Sequence, residues 1–264
     1  MRVVNAARPH PATEAQVLAA LRAWDVPGIA ISGALVPVTG TASAEADVVV
    51  ILPHLAVVCE VKGIRERVGG VLSCPVQGDW SMPGIVGDPV HAQAGGNPLE
   101  QLTRTMFGFK NFAESVTGAS LFTNGLVLVV PWEGTTLTLD KGPIPMPTGR
   151  DVLVADRDGA RLRAWCTRRV GRREVVWTAD RVAAVLAGLG FTDTARTADQ
   201  RVTHAELVAA GFPGDPAQAA TEPAATMSPC VARCWTCPPT TPVTGSRDTS
   251  NATEPPTPAA STAR

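Results

Sequence analysis

The sequence contains no tyrosine, only three lysines, and no apolar run that approaches the roughly 20 residues of a transmembrane helix. It also lacks an excess of either charge, since 23 basic residues oppose 24 acidic ones and the net charge is −1 at pH 7. This balance excludes a protein that binds nucleic acid through a global positive charge, so any such contact has to come from a local patch. The composition likewise excludes collagen-like, coiled-coil and wholly disordered chains.

The first residues of the sequence lack the apolar segment of a secretory signal, so we expect a cytoplasmic protein that does not enter a membrane. Six cysteines without such a signal argue against a disulfide framework. Cys230, Cys234 and Cys237 form a C-x3-C-x2-C pattern, which is compatible with a degenerate zinc knuckle. Zinc takes four ligands and this segment holds no histidine, so incidental cysteines are the preferred interpretation.

Three segments divide the chain. Residues 213–264 contain 10 proline, 10 threonine and 10 alanine residues without a sustained apolar period, so we expect a disordered tail there. Residues 1–130 are expected to form the core domain and residues 131–212 an extension of it. Apolar periodicity in both predicts an α/β fold. The predicted helices cover 13–24, 97–116, 159–169 and 178–189, and the predicted strands cover 29–36, 47–52, 56–62, 125–130 and 152–155.

Capping residues mark the starts of the first two predicted helices. Thr13 and Gln16 match a T-x-x-Q capping box, and Asn97 suits the N-cap position of the second helix. The segment 63–96 between the two is rich in glycine and turn residues and has only weak strand signals. The predicted element order is therefore α-β-β-β-α-β in a mixed sheet flanked by helices, followed by an extra C-terminal strand and further helices.

The second and third predicted strands form a hairpin that clusters charged residues. If Pro53 and His54 are its whole connection, Asp47 lies directly opposite Glu60. Side chains alternate along a strand, so Glu60 and Lys62 share one face. A three-residue connection would shift the register by one residue and separate the cluster.

Glu14 and Gln101 belong to the two predicted helices that would pack against this hairpin. Glu14 falls in the middle of the apolar stripe of its helix, where a carboxylate is costly unless it has a partner or binds a metal. Gln101 borders the apolar stripe of the second helix. Packing of both helices on the sheet would bring these two side chains towards Asp47, Glu60 and Lys62.

Two or three carboxylates with a lysine are typical of metal-dependent phosphodiester hydrolysis. Hard carboxylate oxygens bind Mg²⁺ or Mn²⁺, which retains several waters and can activate one of them as the nucleophile. A lysine beside the ion stabilises the negative charge that develops on the scissile phosphate. The predicted cluster therefore contains the groups that this chemistry needs.

The ordered motifs resemble those of the nuclease-related domain (NERD) family, with a Glu-bearing helix, EADVVVILPHLAVVCEVKG (45–63), Trp80 and NPLEQ (97–101). The family belongs to the PD-(D/E)xK, restriction-endonuclease-like superfamily, and the resemblance covers about residues 12–130. It implies a restriction-endonuclease-like core and Mg²⁺-dependent hydrolysis of DNA, with RNA as the second candidate substrate. It also implies metal ligands at Asp47 and Glu60, a catalytic lysine at Lys62, and supporting site residues at Glu14 and Gln101.

Two other interpretations of the same residues stay open. A Glu-x-Lys on a strand is commonly the solvated face of an antiparallel sheet, in which case the chain is an α/β domain of unrelated function. The fold can also serve as a non-catalytic nucleic-acid-binding or scaffold module.

A basic segment, RLRAWCTRRVGRR (161–173), holds six arginines and no acidic residue, with Trp165 between them. A solvated helix face is one interpretation. A patch that contacts phosphates is the other, and because residues 1–212 as a whole carry no net charge, this segment is the predicted place of contact with DNA. The predicted contacts are Arg168, Arg169, Arg172 and Arg173.

Overall fold

A computed structural model describes residues 1–5, 9–39, 42–90, 96–171, 174–192, 197 and 200–214. The predicted tail lies outside the described residues from 215 onward, as do Cys230, Cys234, Cys237, Arg172 and Arg173. The strands are β1 (Arg2–Asn5), β2 (Ile29–Thr39), β3 (Ala42–Leu52), β4 (Leu55–Gly63), β5 (Gly70–Ser73), β6 (Thr123–Val130), β7 (Leu137–Asp140) and β8 (Arg150–Val154). The helices are α1 (Ala12–Arg22), α2 (Pro98–Thr117), α3 (Ala160–Val170), α4 (Ala179–Gly188) and α5 (His204–Ala209).

Six strands form one mixed sheet in the order β1-β2-β3-β4-β6-β8. The neighbours β2, β3 and β4 are antiparallel, whereas β1 joins β2, and β6 joins β4 and β8, in parallel. Strands β5 and β7 form a separate two-stranded parallel sheet. The predicted α/β class with a mixed sheet flanked by helices is confirmed, and β8 extends the main sheet from the segment after residue 130.

The predicted order α-β-β-β-α-β is found from α1 to β6, with the short strand β5 inserted before α2. Sequence patterns missed β1, β7 and α5. These elements have four, four and six residues, so none of them completes enough of a structural period to leave a pattern. Among the described helices, none is long and apolar enough to cross a membrane.

The hairpin of β3 and β4 has the predicted register. Leu52 pairs with Leu55 across the two-residue connection, and the ladder continues to Val48 and Cys59. The paired stretches of both strands, 48–52 and 55–59, are continuously buried because helices cover both faces of the sheet. Runs of valine and isoleucine suit such a doubly covered strand.

The predicted capping box of α1 is wrong, whereas the predicted cap of α2 is confirmed. Helix α1 begins after Pro11, which has φ −54° and ψ 152°, and it has no side-chain cap. Thr13 lies inside the first turn, where its methyl group faces the end of β4 so closely that a Cβ on Gly63 would lie 2.8 Å away. At α2, the Asn97 side chain accepts a hydrogen bond from the Leu99 amide at 2.9 Å.

The helices pack into two apolar cores, one on each face of the main sheet. The core on one face contains side chains of α2, α4 and α5, and the core on the other face contains side chains of α1 and α3. Strand β4 alternates between them, since Val58 belongs to the α2 core and Val57 and Cys59 belong to the α1–α3 core. The same alternation directs Glu60 and Lys62 towards α2.

Candidate active site

The candidate site lies where β3 and β4 separate. Their ladder ends at Val48 and Cys59, while β3 continues to Ala42 beside β2 alone. Just beyond the split, the Val61 amide donates a hydrogen bond of 2.7 Å to Oδ2 of Asp47. The Asp47 carboxylate thus satisfies a backbone donor that the separating strands leave without a ladder partner, which fixes the carboxylate in the fork.

Strand β2 turns at the same level. Gly33 has a φ of +65°, in the left-handed region, and lies between the pairs Ser32–Val48 and Ala34–Ala46 of the β2–β3 ladder. Ile31 and Ala34 both point into the α2 core, although residues three apart lie on opposite faces of a regular strand. The glycine therefore rotates β2 at this level, together with the part of β3 that leaves β4.

A cavity of about 580 Å³ opens in the fork. Its lining includes all five residues that the sequence assigns to the candidate site, namely Glu14, Asp47, Glu60, Lys62 and Gln101. Elements from both faces of the sheet contribute, because the gap between the strands lets α1 and α2 reach the same space. The separation of the strands therefore creates the site.

Lys62 connects β4 to α2 inside this cavity. Its Nζ lies 2.8 Å from Oε1 of Glu60 and donates a hydrogen bond of 3.1 Å to Oε1 of Gln101. Glu60 is 2% exposed and Lys62 is 7% exposed. The interpretation of this Glu-x-Lys as a solvated face is therefore wrong.

The carboxylates of the cavity outnumber the cations beside them. The pKa of Glu60 is raised to about 7, chiefly by burial and then by the nearby charges of Asp47 and Glu14, against the opposing effect of Lys62. A carboxyl group shifted in this way by burial and like charge, inside a cleft, is typical of functional sites.

His10 is a residue of the site that the sequence patterns missed. Its Nδ1 lies 3.3 Å from Oε2 of Glu14, and its Nε2 lies 3.2 Å from Oγ of Ser32. Ser32 also donates a hydrogen bond of 3.0 Å to Oδ1 of Asn5, so His10 links Glu14 to β2 and, through Ser32, to β1. A spacing of four residues, as between His10 and Glu14, places two side chains side by side on a helix. Pro9 and Pro11 flank His10, so the sequence did not predict a helix that includes it.

The carboxylates fit a hard divalent cation. Asp47 and Glu60 offer oxygen donors, and a cation would neutralise the carboxylate charge that, in addition to burial, raises the pKa of Glu60. Within the described ranges, no three His, Cys, Asp or Glu side chains converge as a metal cage. Mg²⁺ commonly binds through one or two carboxylates together with waters and substrate phosphates, so the pair suits Mg²⁺ or Mn²⁺ better than zinc.

The two described arginines of the predicted patch lie on the other side of the sheet. Arg168 and Arg169 belong to α3, which packs in the core opposite α2. Arg168 is exposed. The Arg169 guanidinium lies 3.6 Å from the ring centroid of Trp165 and 3.3 Å from Oδ2 of Asp151, so part of this patch stabilises the contact of α3 with β8.

Comparison of the chain with protein-family models, with curated proteins and with solved structures finds no match. The resemblance to the nuclease-related domain family therefore depends on the ordered motifs. What supports a function is the set of side chains in the fork between β3 and β4.

Proposed function

We propose that this chain is a metal-dependent nuclease with a restriction-endonuclease-like core, and that it hydrolyses phosphodiester bonds in DNA. The observation that carries the proposal is the buried contact of Glu60, Lys62 and Gln101 beside Asp47, at the base of an open cavity. Burying an ion pair costs desolvation energy that well-packed apolar side chains would avoid. A buried lysine among surplus carboxylates is better explained by chemistry than by stability.

The side chains divide the work of hydrolysis between binding and charge stabilisation. Asp47 and Glu60 would hold the Mg²⁺ or Mn²⁺, which when bound supplies an activated water and offsets charge on the phosphate. The Lys62 ammonium group would donate hydrogen bonds to the phosphate oxygen on which negative charge develops. Gln101 holds the Lys62 ammonium in place, and Glu14 adds a third carboxylate, oriented by His10.

The ordered motifs of the nuclease-related domain give independent support. The helix glutamate, the strand aspartate and the ExK strand arrive in that family's order along the chain. The observed register of the β3–β4 hairpin is the one that this assignment needs. The proposed function therefore agrees with both the motif order and the geometry of the fork.

The test compares cleavage of supercoiled plasmid, with Mg²⁺ or Mn²⁺, by the wild type, Lys62→Ala and Lys110→Ala. Lys110 is the matched control because it is a lysine of α2 that pairs with Glu114 at 2.6 Å, outside the cavity lining. We expect Lys62→Ala to lower cleavage by about 10²–10³-fold because it removes charge stabilisation of the transition state. Lys110→Ala should cleave as the wild type does.

Binding of Mn²⁺ should survive in Lys62→Ala, since the lysine is not a ligand. Equal cleavage by the wild type and Lys62→Ala would contradict the proposal and indicate a contaminating nuclease. A wild type that binds DNA and Mn²⁺ but leaves the plasmid intact would be the non-catalytic module of the same fold.

A further inference from the structure

Arg104 lies at the mouth of the cavity, three residues after Gln101 on α2. Its side chain is exposed and belongs to the cavity lining. Within the part of the chain that the structure describes, no hydrogen bond or ion pair holds its guanidinium. Lys62, the other cation of the lining, already contacts Glu60 and Gln101.

The cavity is lined mainly by negative charge, so a DNA strand that enters it needs a cation at the entrance. Four acidic residues line it, and they would repel an approaching phosphodiester backbone unless positive charge lies on the path. The acidic residues are Glu14, Glu45, Asp47 and Glu60. A guanidinium is suited to this position because its planar donors form paired hydrogen bonds with phosphate oxygens and it stays charged at all relevant pH values.

Packing of α2 keeps this arginine over the cavity. Gly108, seven residues after Gln101 and hence on the same side of the helix, is the point of close approach to β2. A Cβ on Gly108 would lie 2.8 Å from the carbonyl oxygen of Pro37. The stripe that carries Gln101, Arg104 and Gly108 is thus held against β2, the strand that neighbours β3 at the fork.

We propose that Arg104 binds a backbone phosphate of the DNA next to the phosphate that is cleaved. The proposal rests on the proposed nuclease function and names the path of its substrate, across α2 at the cavity mouth. The exposed Arg168 lies on α3 on the opposite side of the sheet, and its neighbour Arg169 already contacts Trp165 and Asp151. Arg104 is therefore the better placed phosphate contact for a strand that enters the cavity.

The first experiment measures binding of a labelled DNA duplex by fluorescence anisotropy, with Ca²⁺ replacing Mg²⁺ to suppress cleavage. The proteins are the wild type, Arg104→Ala, Arg104→Lys, Arg168→Ala and Arg22→Ala. Arg22 is the matched control because it is an exposed arginine of α1 outside the cavity lining. All four changes are at exposed positions, so an unchanged Tm verifies that each variant is folded.

We expect Arg104→Ala to raise the Kd about tenfold at moderate salt and to flatten the slope of log K against log salt by about one unit. Arg104→Lys should recover part of the affinity, and Arg22→Ala should bind as the wild type does. In cleavage assays, Arg104→Ala should raise KM with little change in kcat, whereas Lys62→Ala should lower kcat.

The outcomes separate this inference from the function on which it rests. Cleavage by the wild type together with an unchanged Kd and salt slope in Arg104→Ala would overturn the role of Arg104 alone. A loss of affinity confined to Arg168→Ala would overturn it as well and assign the contact to α3. A wild type that neither binds nor cleaves DNA would overturn the nuclease proposal itself.

Discussion

Two carboxylates of the main sheet, Glu60 and Asp151, each pair with a lysine, and their pKa values move in opposite directions. On β4, Lys62 Nζ lies 2.8 Å from Glu60, and burial raises the pKa of Glu60 to about 7. Asp151 of β8 lies 2.5 Å from Nζ of Lys141, the residue after β7, and the pKa of Asp151 is below its usual value. A carboxylate beside a lysine therefore does not by itself define the electrostatics of a site.

The difference lies in the number of donors around each carboxylate. Burial acts to raise the pKa of Asp151, but the donors of Lys141 and Trp165 outweigh it. The Trp165 indole donates at 2.8 Å, and Arg169 adds a second cation at 3.3 Å. Both oxygens of the Asp151 carboxylate thus accept hydrogen bonds, and those from Trp165 and Arg169 hold α3 against β8.

Glu60 has the opposite surroundings. Lys62 lowers the pKa of Glu60, but burial and the carboxylates of Asp47 and Glu14 raise it by more. A buried carboxylate with few hydrogen-bond donors and cations around it is suited to a ligand that brings positive charge. A carboxylate whose oxygens already contact several donors contributes instead to the stability of the fold. Four predictions test this contrast, from the largest expected effect to the smallest.

The largest effect should follow removal of one charge from the cavity. Glu60→Gln and Asp47→Asn should each lower cleavage by about 10³-fold and weaken Mn²⁺ binding, because an amide is a poor substitute for an anionic oxygen ligand. Asp151→Asn makes the same chemical change in the pair of Asp151 with Lys141 and should leave cleavage and Mn²⁺ affinity unchanged. Mn²⁺ titration of the three variants beside plasmid cleavage measures both effects. Undiminished Mn²⁺ binding by Glu60→Gln would contradict the assignment.

The second prediction concerns the dependence of stability on pH without metal. The folded protein holds the Glu60 proton more tightly than the unfolded chain, so the contribution of this group to stability is present below the usual glutamate pKa and is lost as the pH rises through about 7. Relative to Glu60→Gln, the wild type should lose about 2–3 kcal/mol between pH 4.5 and pH 8. Urea unfolding in EDTA at several pH values measures the difference. Parallel pH profiles for the two proteins would show that Glu60 has no such shift.

The third prediction concerns Asp151 and the stability of the fold. Asp151→Asn should lower the free energy of unfolding by about 2 kcal/mol, because it removes the charge that Lys141 and Arg169 contact. Asp79→Asn, at an exposed position, is the control and should change stability by less than about 0.5 kcal/mol. Urea unfolding at pH 7 compares the two. Equal stabilities would mean that the pair of Asp151 with Lys141 is as dispensable as an ordinary surface charge.

The smallest effect should come from His10. His10→Ala removes the contact that orients Glu14, so cleavage should fall about tenfold while DNA affinity is retained. His204→Ala is the control, since His204 lies on the surface and contacts Asp180 at 3.1 Å. The assay compares kcat and KM of the two variants. An unchanged kcat in His10→Ala would remove His10 from the site.

Much of the fold could be predicted from the sequence because its signals are local. The buried runs around Val49 and Val58 predicted two central strands, and Asn97 predicted the start of α2. The two-residue connection at Pro53 and His54 set the register that brings Asp47 beside β4. Each of these features depends on residues close together in the chain, so periodicity and turn length reveal them.

Other features depend on residues far apart in the chain. The pairing of Gly70 with Leu137 in the second sheet joins segments that have no pattern in common. His10 meets Ser32 because α1 and β2 pack together, and the stacking of Arg169 on Trp165 follows from the docking of α3. Alternation along a strand could not foresee the turn of β2 at Gly33, which depends on backbone conformation.

The sequence by itself determined which residues could form the candidate site, namely the rare Lys62, the Glu60 two residues before it, and the Asp47 opposite. Only the tertiary structure decided that Glu60 and Lys62 are buried, that His10 contacts Glu14, and that Arg104 lies at the mouth of the cavity. It also decided that Asp151 has several donors around its carboxylate, whereas Glu60 has Lys62 and two carboxylates as its charged neighbours. The physical reason is that a pKa depends on burial and on all the charges around a group, and folding brings those charges together from distant parts of the chain.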